Sequence, residues 1–148
     1  MKVTIYIETT LAGPGTRSGE YGAVVEFITK KGEKVTREIY GTEKETTWYR
    51  SVLMAAVKAL KLLIHPCDVE LTTNCVFIVN MINRGSVAAW GKNGWKSTAG
   101  KEIKNKELWI KLYCFMSIHK ITAVFSKHHD YKHFLLEKMK IEEDKKKC

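Results

Sequence analysis

The sequence has 148 residues, enough for one domain with its own core and no need of cross-links. Hydrophobic residues make up 45% and charged residues 28%, which excludes a disordered chain. Lys and Arg number 25 against 16 Asp and Glu, and the net charge of +9 points to a polyanionic partner, most simply nucleic acid.

Val3, Ile5 and Ile7 alternate with Thr4, Tyr6 and Glu8, the period of a strand. A turn segment follows, Ala12-Gly13-Pro14-Gly15, extended through Gly19. Tyr21 to Thr29 reads as a second strand and Lys34 to Tyr40 as a third, joined by the polar turn Lys30-Lys31-Gly32-Glu33. Thr46 and Thr47 precede a helix expected over Trp48 to Ile64, with Val52, Ala55, Ala56, Ala59, Leu60 and Leu63 on one face. Either threonine is a candidate N-cap, and Pro66 stops the helix. Asp68 to Thr73 reads as a fourth strand. A helix between strands is a crossover, so this strand should lie parallel to the first. Val76 to Arg84 reads as a short helix ended by Gly85.

Residues 87–106 differ from the rest. They carry Trp90 and Trp95 among Lys92, Lys96, Lys101, Lys104 and Lys106, spaced by glycines, and read as a basic protrusion. Glu107 to Ile118 resumes as an amphipathic helix, Ile121 to Phe125 as a fifth strand and Tyr131 to Ile141 as a last helix. The expectation is one domain over 1–141 and a charged tail over 142–148 that frays.

None of the four cysteines stands in a C-x-x-C pair, so a zinc knuckle is not expected. Cys67 and Cys114 fall in apolar stretches and read as reduced core residues. Glu8 interrupts the apolar start, which reads as a strand and not a signal peptide. The longest apolar stretch, Leu53 to Ile64, carries Lys58 and Lys61 and is too short to span a bilayer. A cytoplasmic protein with no membrane partner is expected.

The order of elements and several local words resemble type 1 ribonuclease H over nearly the whole chain. The words are the Gly-Pro-Gly turn followed by Tyr21-Gly22-Ala23, then Leu53-Met54-Ala55-Ala56, then Trp90-Gly91-Lys92-Asn93-Gly94-Trp95-Lys96-Ser97, and Lys104-Asn105-Lys106-Glu107-Leu108-Trp109. The resemblance implies an α/β ribonuclease H-like fold. That fold is a five-stranded mixed sheet, its first three strands antiparallel, with helices on both faces. It also implies phosphodiester hydrolysis of the RNA strand of an RNA–DNA hybrid, with two Mg²⁺ or Mn²⁺ ions held by four carboxylates. Two hard cations close together need several anionic oxygens to offset their charge.

Most of those carboxylates are missing here. The first family position, an Asp in the first strand, is Glu8, one methylene longer. The second, a Glu before Leu-Met-Ala-Ala, is Val52. The third, an Asp ending the fourth strand, is Asn74. The fourth, an Asp in the last helix, aligns best with Leu136, and Glu137 is the acidic candidate beside it. The catalytic-loop His of the family matches His129. Without metals it has no leaving group to assist, and it reads better as a solvated His on a basic loop. No cofactor is expected, and Mg²⁺ or Mn²⁺ enters only if the chain is active.

Other family features remain. A phosphate-binding pocket implies roles for Thr47 and Asn105, the former compatible with capping a helix. The paired Asn residues that touch the minor groove in the family are Trp48 and Tyr49, which either pack or stack on bases. Trp90, Lys92, Trp95, Lys96 and Lys101 are the nucleic-acid-binding candidates of this segment, the lysines facing solvent or phosphate, while Trp109, and alternatively Trp90, is expected to prop it from within. Three functions stay open: a ribonuclease H-like protein that binds hybrid or duplex without efficient cleavage, an active endoribonuclease with a rearranged site, and a module for a protein partner.

Overall fold

In the computed structural model the backbone is described for residues 1–147 and the side chains for residues 1–140. Three strands open the chain, β1 (Lys2–Thr9), β2 (Arg17–Ile28) and β3 (Lys34–Thr46). Then come α1 (Trp48–Leu60), β4 (Asp68–Thr73), α2 (Val76–Asn83), α3 (Ser86–Lys92), α4 (Lys106–Met116), β5 (Lys120–Phe125) and α5 (Lys132–Lys147). The sheet order is β3-β2-β1-β4-β5. β2 pairs antiparallel with both β1 and β3, whereas β4 runs parallel to β1 and to β5. This is the mixed five-stranded sheet expected, with the crossover through α1 placing β4 beside β1.

The alternation along β1 decides what each face buries. Val3, Ile5 and Ile7 join Val52, Leu53, Ala56 and Leu60 in one core cluster beneath α1. The even-numbered residues point the other way, toward α5, where Leu135 and Met139 are buried. Helices therefore cover both faces. The parallel register runs as far as Tyr6 opposite Thr72, two residues before Glu8 and Asn74 on their respective chains.

Several boundaries differ from the sequence expectation. β3 continues past Tyr40 to Thr46 because Gly41 leaves room for the Tyr21 side chain, where a Cβ would meet the phenol oxygen at 2.1 Å. Helix α1 ends at Leu60, four residues short of Ile64, and Leu62 and Leu63 close a turn onto Ala59 and Leu60. Part of the basic segment, Ser86–Lys92, is helical. Cys67 is buried as expected, but Cys114 is exposed: it lies on α4, whose buried residues are Leu108, Trp109 and Leu112. The stretch 142–148 expected as a tail lies outside the residues whose side chains are described.

Candidate nucleic-acid interface

The strand ends carry a small polar cluster built on Glu8. This side chain is only 5% exposed, and an isolated buried carboxylate is costly unless paired. Two partners meet it. His129 Nε2 lies 3.4 Å from Oε2, and Lys132 Nζ lies 3.8 Å from Oε1. The Tyr131 backbone N–H donates to His129 Nδ1 at 3.2 Å, so the neutral ring carries its proton on Nε2 and donates it to Glu8. His129 also packs against the Tyr6 ring, with centroids 5.0 Å apart. Its side chain is 4% exposed, which corrects the expectation of a solvated His. Nearby, the Tyr131 hydroxyl donates to Glu26 Oε2, and burial with this bond pushes its pKa up to about 12.

The other three positions matched to acids bring no carboxylate. Val52 is fully enclosed in the core beneath α1. Asn74 is half-buried at the end of β4 and offers a neutral carbonyl oxygen. In α5, Leu136 lies one turn beyond Lys132 and so shares the helix face that reaches Glu8. Glu137 is exposed and sits two residues from both buried side chains, Leu135 and Met139, so it is turned away from the sheet. Among the described residues no group of three or more His, Cys, Asp or Glu could hold a metal ion. The sequence reading missed Lys132; its place three residues after His129 was the only available signal.

A second constellation gathers at the start of α1. Thr47 is the N-cap, extended at φ −123°, and its hydroxyl oxygen accepts the Arg50 N–H at 3.2 Å. The hydroxyl proton stays available to a ligand. Asn105 precedes α4 in the left-handed region, φ 60°, and its Oδ1 accepts from Arg50 Nη1 at 3.4 Å. That bond orients the amide, so Nδ2 is the donor left to face outward. Arg50 itself is held by Glu43 at 3.1 Å and by Glu107. The Glu107 bond lifts the Arg50 pKa, and Arg50 holds the Glu107 carboxyl below the usual range. Arg50 thus aligns the two neutral donors while its own charge is satisfied within the protein. Sequence reasoning missed it, since Glu107 lies 57 residues away.

Between these donors and α2 lies a pocket of about 550 Å³. Trp48, Tyr49, Phe77, Trp90 and Trp109 supply its apolar wall, and the Gly13-Pro14-Gly15 turn closes one side. Arg17 fixes that turn by donating to the carbonyls of Ala12, Pro14 and Gly15 at 2.6, 3.1 and 2.8 Å. Tyr49 stacks on Phe77 with centroids 4.5 Å apart. Trp48 Nε1 is a buried donor with no hydrogen-bond partner, a cost of about 1–3 kcal/mol.

In the segment 87–106, Trp90 packs edge-on against the buried Trp109 at 5.2 Å, the propping contact expected of both. Trp95 meets Tyr113 edge-on at 5.5 Å and adopts φ 63°, unusual for a residue with a side chain. Lys92, Lys96 and Lys101 are exposed. Asn93 Nδ2 donates to the carbonyls of Lys96 and Ser97, holding the loop that presents these lysines.

The family model described as RNase H matches residues 1–133. A ribonuclease H of Acetivibrio thermocellus is 39% identical over 129 residues, 86% of this chain and 83% of the relative. One from Francisella tularensis subsp. novicida is also 39% identical over 129 residues, 86% of this chain and 80% of its own. Among solved structures, LC9-RNase H1, a type 1 RNase H with the type 2 active-site motif, superposes with a TM-score of 0.72 at 24% identity, covering 92% of this chain and 69% of that one. A foamy viral protease-reverse transcriptase in complex with RNA/DNA hybrid superposes with a TM-score of 0.67 at 14% identity, covering 89% of this chain and 18% of that one. The chain belongs to the ribonuclease H family.

Proposed function

We propose that this ribonuclease H-family protein binds RNA–DNA hybrid or duplex nucleic acid and does not cut it efficiently. One observation carries the reading. Glu8, the single carboxylate kept among the four matched positions, is already engaged by the protein itself, with His129 Nε2 against one oxygen and the Lys132 ammonium 3.8 Å from the other. A divalent cation there would have to displace an ammonium and an imidazole, and would then find Asn74, Val52 and Leu136 where further anionic oxygens are needed. The donor set does not fit a two-metal centre, so no hydrolytic step is assigned to it.

Binding is supported by the features that remain. Thr47 and Asn105 offer uncharged donors suited to one backbone phosphate, and Lys92, Lys96 and Lys101 offer exposed positive charge. Fold neighbours include a foamy viral protein in complex with hybrid and one in complex with dsDNA. The competing reading, an active endoribonuclease using Glu8, Asn74 and Glu137, is favoured by the name ribonuclease H carried by relatives at 39% identity. An anisotropy titration of labelled hybrid at two salt concentrations tests the binding. Affinity should fall steeply with salt, and no binding to hybrid, duplex or single strand at low salt would overturn the reading in favour of a protein partner.

A further inference from the structure

We infer that the aromatic pocket between α1, α2 and the loop before α4 takes an unpaired nucleobase, so that the protein prefers a duplex with a single-stranded end over a blunt one. The inference rests on the nucleic-acid reading above and deepens it.

The face carries three flat side chains in sequence: Trp48 and Tyr49 with centroids 5.7 Å apart, then Tyr49 stacked on Phe77. Tyr49 and Phe77 are 39% and 37% exposed, large for rings beside a core. Such a surface has few directional donors with which to read the edges of paired bases. It suits the π-face of any base that has left its stack. At about 550 Å³ the pocket lies within the ~300–1,000 Å³ usual for small-ligand sites. Trp48, in its wall, also carries the buried donor that no protein group satisfies.

The occupant is identified by what borders the apolar wall. Thr47, Lys104 and Asn105 line the same pocket, so an amide donor, a hydroxyl and an ammonium stand beside the rings. Glu102 also lines it, and its carboxylate lies 3.8 Å from Lys106 Nζ. An apolar plane next to phosphate donors matches a nucleotide: base on the rings, phosphate on Thr47 and Asn105. A hydrophobic peptide would use the wall and leave those donors idle.

The test uses a duplex with a four-nucleotide overhang carrying 2-aminopurine, a blunt duplex of equal length, and the wild-type, Tyr49→Ala and Phe77→Ala proteins. Each aromatic platform should contribute roughly five- to 150-fold in affinity per stacked base. The wild type should therefore bind the overhang at least about tenfold more tightly than the blunt duplex and quench the 2-aminopurine emission. In both variants the ratio of the two affinities should fall toward one and the quenching should be lost, with circular dichroism showing the fold intact. Equal affinities without quenching in the wild type, or variants that keep the ratio, would overturn the inference while leaving duplex binding in place. Absence of binding to either probe would overturn it together with the function on which it rests, and would give the pocket to a protein partner.

Discussion

His129 Nε2 lies 3.4 Å from Glu8 Oε2, joining two residues 121 positions apart inside a nearly closed site. The contact ties the loop before α5 to the end of β1, with Lys132 bringing its ammonium within 3.8 Å of the other carboxylate oxygen from the first turn of the helix. A surviving carboxylate is thereby built into the protein's own electrostatics.

Restoring the missing acids should therefore work only if Lys132 is removed as well. Asn74→Asp with Val52→Glu returns two anionic oxygens, but Lys132 still competes for Glu8. Adding Lys132→Gln should raise Mg²⁺ and Mn²⁺ affinity beyond the double variant in calorimetry, while the wild type shows no site-specific heat at millimolar cation. Because Val52 is fully buried, the new glutamate should lower stability by about 2–4 kcal/mol. A wild-type protein that binds two Mn²⁺ tightly would refute the underlying assignment.

Salt dependence separates the lysines from the neutral donors. Contacts to about four or five phosphates give a slope of log K against log salt near −4 on B-DNA. Lys96→Ala with Lys101→Ala should flatten it by roughly two units. Thr47→Val with Asn105→Ala should weaken binding with less change of slope, since neither residue carries charge.

The first-to-third strand meander, the crossover and the sheet class were legible because hydrophobic alternation in β1 and the helical period of α1 are strong local signals. Thr47 was also legible as a helix cap, the role it takes at the start of α1. What escaped was long-range. Nothing in the word Lys127-His128-His129 says that the second histidine is enclosed by Tyr6 and Glu8. Nothing near Thr47 says that Arg50 reaches Glu107. The β3 extension depends on Gly41 accommodating Tyr21, a contact across strands that no single-strand pattern encodes.

His119 is another such case, buried with Nδ1 accepting the Cys67 N–H at 3.0 Å. Burial holds its pKa below the ordinary value. The unfolded chain then binds more protons than the folded one, so this contribution is present above the unfolded pKa of about 6.5 and is lost as pH falls through the folded value. His119→Ala should cost about 1–3 kcal/mol at pH 8 through the orphaned N–H. It should also flatten the rise of stability with pH below about 6.5, as read by urea unfolding across that range.

The Arg50–Glu107 pair carries the same sign. Glu107 is held below its usual pKa, so the stabilisation is full above the ordinary carboxylate range and fades as pH falls through it. Glu107 is 58% exposed, and screening limits the pair to about 1 kcal/mol or less. Glu107→Gln should destabilise by that amount at pH 7 and by nearly nothing at pH 3 in thermal unfolding.

Thiol labelling checks the packing of the two helices that flank β4 and β5. Cys114 should react rapidly in the folded protein, while Cys67 and Cys75 should stay protected until unfolding. Burial also raises the Cys75 pKa, which slows attack further. Fast modification of Cys75 at a rate equal to Cys114 would contradict the described burial.

The most direct test incubates an end-labelled RNA–DNA hybrid with excess protein in Mg²⁺ and, separately, in Mn²⁺, with the bound fraction read from the same samples. Binding should be saturating and salt-sensitive with the RNA strand intact, and neither cation should bring about cleavage. Metal-dependent scission of the RNA strand that is abolished by Glu8→Gln would contradict it, and would show that Glu8 holds a catalytic cation despite His129 and Lys132.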